Sequence, residues 1–246
     1  MNKQIFFLVG LIGALAFTGC QKDFEEINTN PNEPTAVSPG FLLTNAQKAI
    51  MDQVYDSFWG SRRAMQTAQY WSSNQYSNES RYQYRETTAN SAWAAMYAGP
   101  LQDLQTIIDL NSGDAAADYA GYGDNGNQIA VAKILQAWTF QHLTDAFGDI
   151  PMSAALKGGD DTAPSYDSQA DVYAGLLTLL NDAMASMTNG SGPQGDQVYG
   201  GNMDQWMKFA NSLKLRVAMR MADVNGAAAQ AAAEAALGSG TIIAGN

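Results

Sequence analysis

The sequence predicts an all-α protein whose helices pack as hairpins between long irregular loops. Three observations carry that prediction. Apolar residues recur at intervals of three and four along most of the chain from Ser38 onward, the spacing that builds one face of a helix. Helix start and stop signals punctuate the pattern, among them Ser168-x-x-Asp171, Asn202-x-x-Gln205, and Gly148 followed by Pro151. Between the periodic segments lie stretches rich in Gly, Asn, Asp and Ser, which favour turns over regular structure.

At the N-terminus, Lys3 gives a positive start and residues 5–17 form a 13-residue apolar run, ending in Phe17-Thr18-Gly19-Cys20, which resembles the bacterial lipobox. Residues 1–19 therefore read as a lipoprotein signal peptide, too short for a membrane span, and Cys20 as the lipid attachment site. Cys20 is the only cysteine, so no internal disulfide can form. The acid-rich residues 21–26 resemble the export signals that send some lipoproteins to the outer face of the outer membrane. Residues 20–37 read as a lipidated tether, dominated from Asn28 by Asn, Pro, Thr and Ser. The helical domain is expected over 38–246.

Ser38-Pro39 suits the start of a first helix carrying Phe41, Leu42, Ala46, Ala49, Ile50, Val54 and Phe58, running on or restarting after Gly60. Residues 69–84 break the helical pattern. Aromatics alternate there with Asn, Gln, Ser and Arg, and no aliphatic residue appears. A flat ring can stack on the C–H face of a sugar while amides and guanidiniums bond its hydroxyls. Trp71, Asn74, Tyr76, Arg81, Tyr82 and Tyr84 are accordingly the candidate ligand-binding residues, against the plainer reading of a loop whose tyrosines pack back onto the helices. Helical spacing resumes over 88–110 through Trp93, Met96, Tyr97, Leu101, Leu104, Ile107 and Ile108, with Pro100 expected to kink or split it.

Residues 111–127, rich in Gly, Asp, Asn and Ala, read as a loop, and Asp114, Asp118 and Asp124 lack the ligand spacing of an EF-hand. The next helix is the one the chain is organised around. Ile129, Ile134, Leu135, Trp138, Phe140, Leu143 and Phe147 give it an apolar face wide enough to need partners on more than one side. It should end at Phe147, where Gly148 can take a left-handed cap and Pro151 pushes Ile150 into extended backbone. After a loop, Ser168-x-x-Asp171 opens a helix with the stripe Val172, Leu176, Leu179, Leu180, Ala183 and Met187. A Gly-rich loop over 189–201 leads to the Asn202-capped helix of Trp206, Phe209, Ala210, Leu213, Val217 and Met221, and an Ala-rich helix follows over 227–237. Helix, loop and helix of comparable length resemble tetratricopeptide-like arrays, without a fixed sequence period.

With 13 basic and 24 acidic residues the formal charge is -11, which repels phosphate backbones and excludes nucleic acid as a partner. His142, the only histidine, lies on the apolar face of the organising helix, where a hydrogen-bonded core role is the simpler reading. Asp145, Asp149, Asp160 and Asp161 could be arranged as the carboxylates of a glycoside hydrolase. Asp145 and Asp149, however, straddle a helix end where structural hydrogen bonding suffices, and Asp149 is expected to pair with Arg216 or Arg220. Lys208, Lys214, Arg216 and Arg220 read as structural ion pairs rather than an anion site. No metal cluster, P-loop or dinucleotide fingerprint is found, so no catalytic residue, metal or cofactor is assigned.

Three blocks, DAFGDIP at 145–151, APSYDSQADVYAGLL at 163–177 and WMKFANSLKLRVAMR at 206–220, stand in this order behind a lipobox and the tether NTNPNEPT at 28–35. Together they resemble the SusD/RagB family of outer-membrane nutrient-binding lipoproteins. The resemblance covers most of the chain after Cys20. It implies an all-α, SusD-like fold of tetratricopeptide-like helical hairpins with long irregular loops. It also implies a non-enzymatic, carbohydrate-binding role in nutrient uptake, starch-binding associated, at the extracellular side of the outer membrane through a lipid anchor. The implied partner is a SusC-type TonB-dependent transporter, to which captured oligosaccharides would be passed. Members are usually longer, so this chain is expected to be an N-terminal portion. Their ligand residues vary with the glycan, so none is carried over. A surface glycoside hydrolase, a helical protein-interaction scaffold and a peptide ligand in place of a glycan remain the competing readings.

Overall fold

The computed structural model describes residues 37–239; the signal peptide, Cys20, the tether up to residue 36 and the Thr241-Ile242-Ile243 end lie outside the described residues. Ser38 is extended and Pro39 occupies the first turn of α1, Pro39–Val54, where a missing N–H costs nothing. The break that follows comes earlier than the sequence suggested. It falls at Tyr55-Asp56, and a π-helical segment, Ser57–Met65, starts where the Asp56 carboxylate accepts the N–H groups of Trp59 and Gly60. Gly60 marks a close approach: a Cβ there would sit 2.2 Å from the Val54 carbonyl oxygen.

The expected split at Pro100 is present. Helix α2, Glu86–Met96, passes through a π-helical turn, Tyr97–Leu101, into α3, Gln102–Ser112, and the turn's wider ring accommodates the proline that an α-helical ladder could not. The loop expected over 111–127 proves more ordered. It holds a short α4, Ala116–Tyr119, and a 3₁₀ turn, Ala120–Tyr122, before α5, Asn125–Phe147, begins on an Asp124 cap. Its composition misled because the amides that weaken local helix propensity find carbonyl partners outside the helix, some in the same loop and some far along the chain. Asn127 Nδ2 donates to the Gly190 and Ser191 carbonyls, each at 3.1 Å, and Gln128 Nε2 donates to the carbonyls of Tyr119 at 3.0 Å and Gly123 at 2.8 Å.

Helix α5 is the centre of the molecule, with 14 of its 23 residues buried, which is more than one face can supply. It packs against α1, α3, α6 (Gln169–Ser186) and α7 (Met203–Met221). It ends as predicted at Phe147, where Gly148 has φ 79° and donates its N–H to Thr144 O at 2.9 Å. Ile150 is then extended and bridges Asp167, the one β-bridge among the described residues. Ser168 and Asn202 cap α6 and α7 by accepting the N–H groups of Asp171 and Gln205, as their spacing required.

The helices pack in series, α1 on α2 and α3, α3 on α5, α5 on α6, α6 on α7, and α7 on α8, Gly226–Gly238. This is the tetratricopeptide-like hairpin array. Its core includes Ile50, Leu104, Ile134, Leu135, Leu143, Leu176, Leu180 and Trp206, all fully buried. The Gly-rich loop after α6 returns to α1 and is pinned by Asp196. That buried carboxylate accepts from Gln47 Nε2 at 2.8 Å, Val198 N at 2.9 Å, Gly201 N at 2.8 Å and Trp206 Nε1 at 2.7 Å. Burial pushes its pKa up, but the donors from Gly201, Trp206, Gln47 and Val198 pull harder and hold it below its ordinary value.

Candidate functional site

The π-helical segment sends two neighbouring arginines in different directions. Arg62 lies over Phe58 and Tyr76 at 5.4 and 5.1 Å and reaches the buried Glu79 carboxylate at 3.5 Å. Arg85 meets the other Glu79 oxygen at 3.6 Å, so the loop over 69–85 folds around one buried acid held by two guanidiniums. Ser80 Oγ donates to Gln66 Oε1 at 2.9 Å and Gln69 Nε2 to the Tyr82 hydroxyl at 3.0 Å, which fixes the loop further. Three of its non-glycine residues, Gln69, Tyr76 and Tyr82, are left-handed, with φ of 60, 54 and 59°. Each costs on the order of 1 kcal/mol, which the Glu79 cluster must offset.

Arg63 points the other way, toward the C-terminal end of α5. Its guanidinium covers the Trp59 ring at 4.2 Å and lies within 5.7 and 5.8 Å of the Tyr84 and Phe147 rings. Trp59 stacks on Phe147 at 5.5 Å and donates its indole N–H to His142 Nε2 at 2.8 Å. That bond makes Nε2 the acceptor, so His142 is neutral with its proton on Nδ1. Burial lowers the His142 pKa; Asp145 opposes this, and Arg216 and Arg63 reinforce it. Asp145, one turn on, accepts from the Tyr173 hydroxyl and pairs with Arg220 at 3.4 Å. Burial first, then the Asp145 carboxylate, pushes the Tyr173 hydroxyl up to about 12.

These side chains enclose a cleft of about 360 Å³ lined by Trp59, Arg63, Thr67, Tyr84, His142 and Asp145, with Arg216 and Arg220 from α7. A family model described as starch-binding, associating with the outer membrane, matches residues 31–246 of the sequence. The chain belongs to the SusD-like family. Among solved structures it is similar to a chitin-binding protein at 30% identity, with a TM-score of 0.72 over 84% of this chain and 44% of that one. It is also similar to a SusD-like protein of Bacteroidetes AC2a at 28% identity, TM-score 0.67, covering 85% of this chain and 38% of that one. A SusD homologue from Bacteroides thetaiotaomicron stands at 26% identity and TM-score 0.68, with 86% and 43% covered. The SusD-like chain thus spans less than half the length of these relatives. No curated protein sequence matches it.

In this SusD-like chain the three motif blocks meet in space. DAFGDIP touches the second block where Asp149 Oδ1 accepts the Gln169 N–H at 2.8 Å, and the third where Asp145 meets Arg220. The expected pairing of Asp149 with Arg216 or Arg220 is therefore wrong. Asp149 is past the end of α5 and caps α6, whereas Asp145, still on the helix, faces α7. The reading of the basic run as ion pairs also fails in part. Among the described residues only Arg220 of the four pairs with a carboxylate; Lys214 donates to the Asn181 amide oxygen at 2.8 Å, and Lys208 and Arg216 have no ion pair.

Of the six candidate residues, Tyr84 lines the cleft and Tyr76 stacks with Arg62 and Arg85. Trp71, Asn74, Arg81 and Tyr82 stand exposed on the loop outside it. Trp59 and Arg63 are not singled out by the sequence, and Arg216 and Arg220 are read there as structural ion pairs rather than an anion site. The one available signal was the four-residue spacing of Arg216 and Arg220, which puts them on the same helix face.

Proposed function

We propose that this chain belongs to a non-enzymatic, glycan-binding surface lipoprotein that captures oligosaccharides and passes them to a SusC-type TonB-dependent transporter of the outer membrane. The observation that carries this reading is the loop over 69–85. Trp71, Tyr76, Tyr82 and Tyr84 are 54, 67, 53 and 57% exposed while the loop beneath them is fixed by buried Glu79. Large rings held in water on a rigid frame form a stacking surface for sugar C–H faces, with Asn74 and Arg81 beside them for hydroxyls. The names of similar proteins, one of them chitin-binding, favour the same ligand class.

Capture followed by handover requires release, so affinity is expected between micromolar and millimolar, about 8 to 4 kcal/mol. One stacked ring contributes about 1–2 kcal/mol. Trp71→Ala and Tyr82→Ala should each weaken binding roughly five- to thirtyfold in calorimetry against oligosaccharides such as chitin and starch fragments. Wild-type affinity in both variants would remove this loop from the site, and cleavage of the sugar would favour the hydrolase reading.

The anchor belongs to the same proposal. Among the described residues no helix is long and apolar enough to cross a membrane. Acyl chains on Cys20 would then hold the protein at about 0.8 kcal/mol per buried CH₂. Cys20→Ala should move it from the membrane to the soluble fraction, and palmitate labelling that survives the substitution would disprove the attachment.

A further inference from the structure

Three of the chain's six arginines, Arg63, Arg216 and Arg220, line the one cleft with Tyr84 and Trp59. A single carboxylate, Asp145, answers them, and it is already engaged by Arg220 and the Tyr173 hydroxyl. Among the described residues no carboxylate lies within ion-pair distance of Arg63 or Arg216. The cleft therefore holds two unbalanced guanidiniums in a chain whose formal charge is -11. Among the described residues Arg63 is half-buried with only aromatic ring faces against it, so an anion would stabilise it, while Arg216 stands exposed beside the same cleft. Thr67 adds a buried hydroxyl that has no hydrogen-bond partner among the described residues.

We propose that this cleft binds the carboxylate or sulfate group of an acidic sugar, with Arg63 and Arg216 holding the oxyanion and the Tyr84 ring carrying the sugar face. The proposal rests on the glycan-binding reading above and narrows its substrate class. Guanidiniums bind such groups through paired N–H donors in a fixed plane. The cleft's volume of about 360 Å³ lies at the small end of ligand sites, which span about 300–1,000 Å³, and suits one sugar unit rather than a long chain. The acidic remainder of the surface repels anions, which confines such a ligand to this spot.

His142 provides the test, because as the only histidine its imidazole signals are unambiguous in proton NMR. It faces Arg63 of the π-helical segment, Arg216 and Arg220 of α7, Tyr84 of the loop and Asp145 of its own helix. An anion beside Arg63 and Arg216 offsets their field, so the His142 titration midpoint should rise. The purified chain would be titrated with D-galacturonate, D-glucuronate and N-acetylglucosamine 6-sulfate, each against its uncharged parent sugar. The acids are expected to raise the midpoint and bind at least roughly tenfold more tightly than the parents, the loss that removing a charged hydrogen-bond pair produces. The first two acids against the third distinguish carboxylate from sulfate.

Arg216→Gln should abolish that preference with little change in thermal melting, since Arg216 holds no ion pair among the described residues, and Arg216→Lys should restore part of it. Equal binding of acid and parent, an unmoved His142 midpoint, or an unchanged preference in Arg216→Gln would each overturn the proposal. Neutral sugars that bind where acids do not would overturn it and leave glycan capture standing. If no sugar of either kind bound, both readings would fail. Acetate binding as tightly as galacturonate would overturn the role given to Tyr84.

Discussion

Asp196→Ala is expected to destabilise the protein by about 3–5 kcal/mol, because it strips a buried acceptor from several donors at once. Gln47 Nε2, the Trp206 indole and the N–H groups of Val198, Tyr199 and Gly201 all point at this carboxylate. Asp196 is 7% exposed, so water cannot replace it at every donor. Through Gln47 it joins the loop before α7 to α1, and through Trp206 it reaches the largest fully buried side chain, so the damage spreads to both α1 and α7. Asp196→Asn keeps one acceptor but turns an NH₂ toward other donors, and about 2 kcal/mol is expected.

The pH dependence has a defined sign. Asp196 titrates below its ordinary value when folded, so its contribution is complete above the unfolded pKa of about 4 and is lost as pH falls through the lower folded value. Urea denaturation of wild type and Asp196→Ala at neutral pH and at pH of about 2 to 5 measures both effects. A loss under about 1 kcal/mol at neutral pH would show that the donors find other partners.

Trp59→Ala should cost a similar amount, about 3–5 kcal/mol, through lost packing. The ring is 5% exposed, stacks on Phe147, carries Arg63 and supplies the N–H that His142 accepts. Trp59→Phe retains most of the packing but orphans His142 Nε2, at about 1 kcal/mol. His142 reports the local change. Its folded pKa is lowered by burial, so as pH drops below the unfolded value of about 6.5 the unfolded chain takes the proton first and stability falls. Removing Trp59 admits water, brings the His142 midpoint up toward its ordinary value and shrinks that acid-side loss. An unchanged midpoint in Trp59→Ala would mean that the indole does not shield the imidazole.

What the sequence determined by itself was local. The α5 helix, its stop at Gly148, the caps at Ser168 and Asn202 and the split at Pro100 all depend on residues within about one turn of one another, where side-chain spacing and backbone preference act directly. The family resemblance rested on blocks of the same kind, each readable in order along the chain. The aromatic loop was visible through its composition, but its buried pivot Glu79 was not, because an isolated acid among polar residues looks solvated until Arg62 and Arg85 are brought to it.

Only the tertiary structure decided the rest. Asp149 and Asp145 sit four residues apart, yet the turn at Gly148 sends one to the start of α6 and leaves the other facing α7. The loop over 111–127 is ordered by amides whose carbonyl partners include Gly190 and Ser191, more than 60 residues away. The cleft joins Arg63, Tyr84, His142 and Arg216 from four separate elements, and no spacing along the chain encodes that meeting. Hydrogen bonds and charges between distant residues exist only after the hydrophobic faces of the helices have packed. Local pattern therefore specifies the helices, and packing specifies which polar groups they bring together.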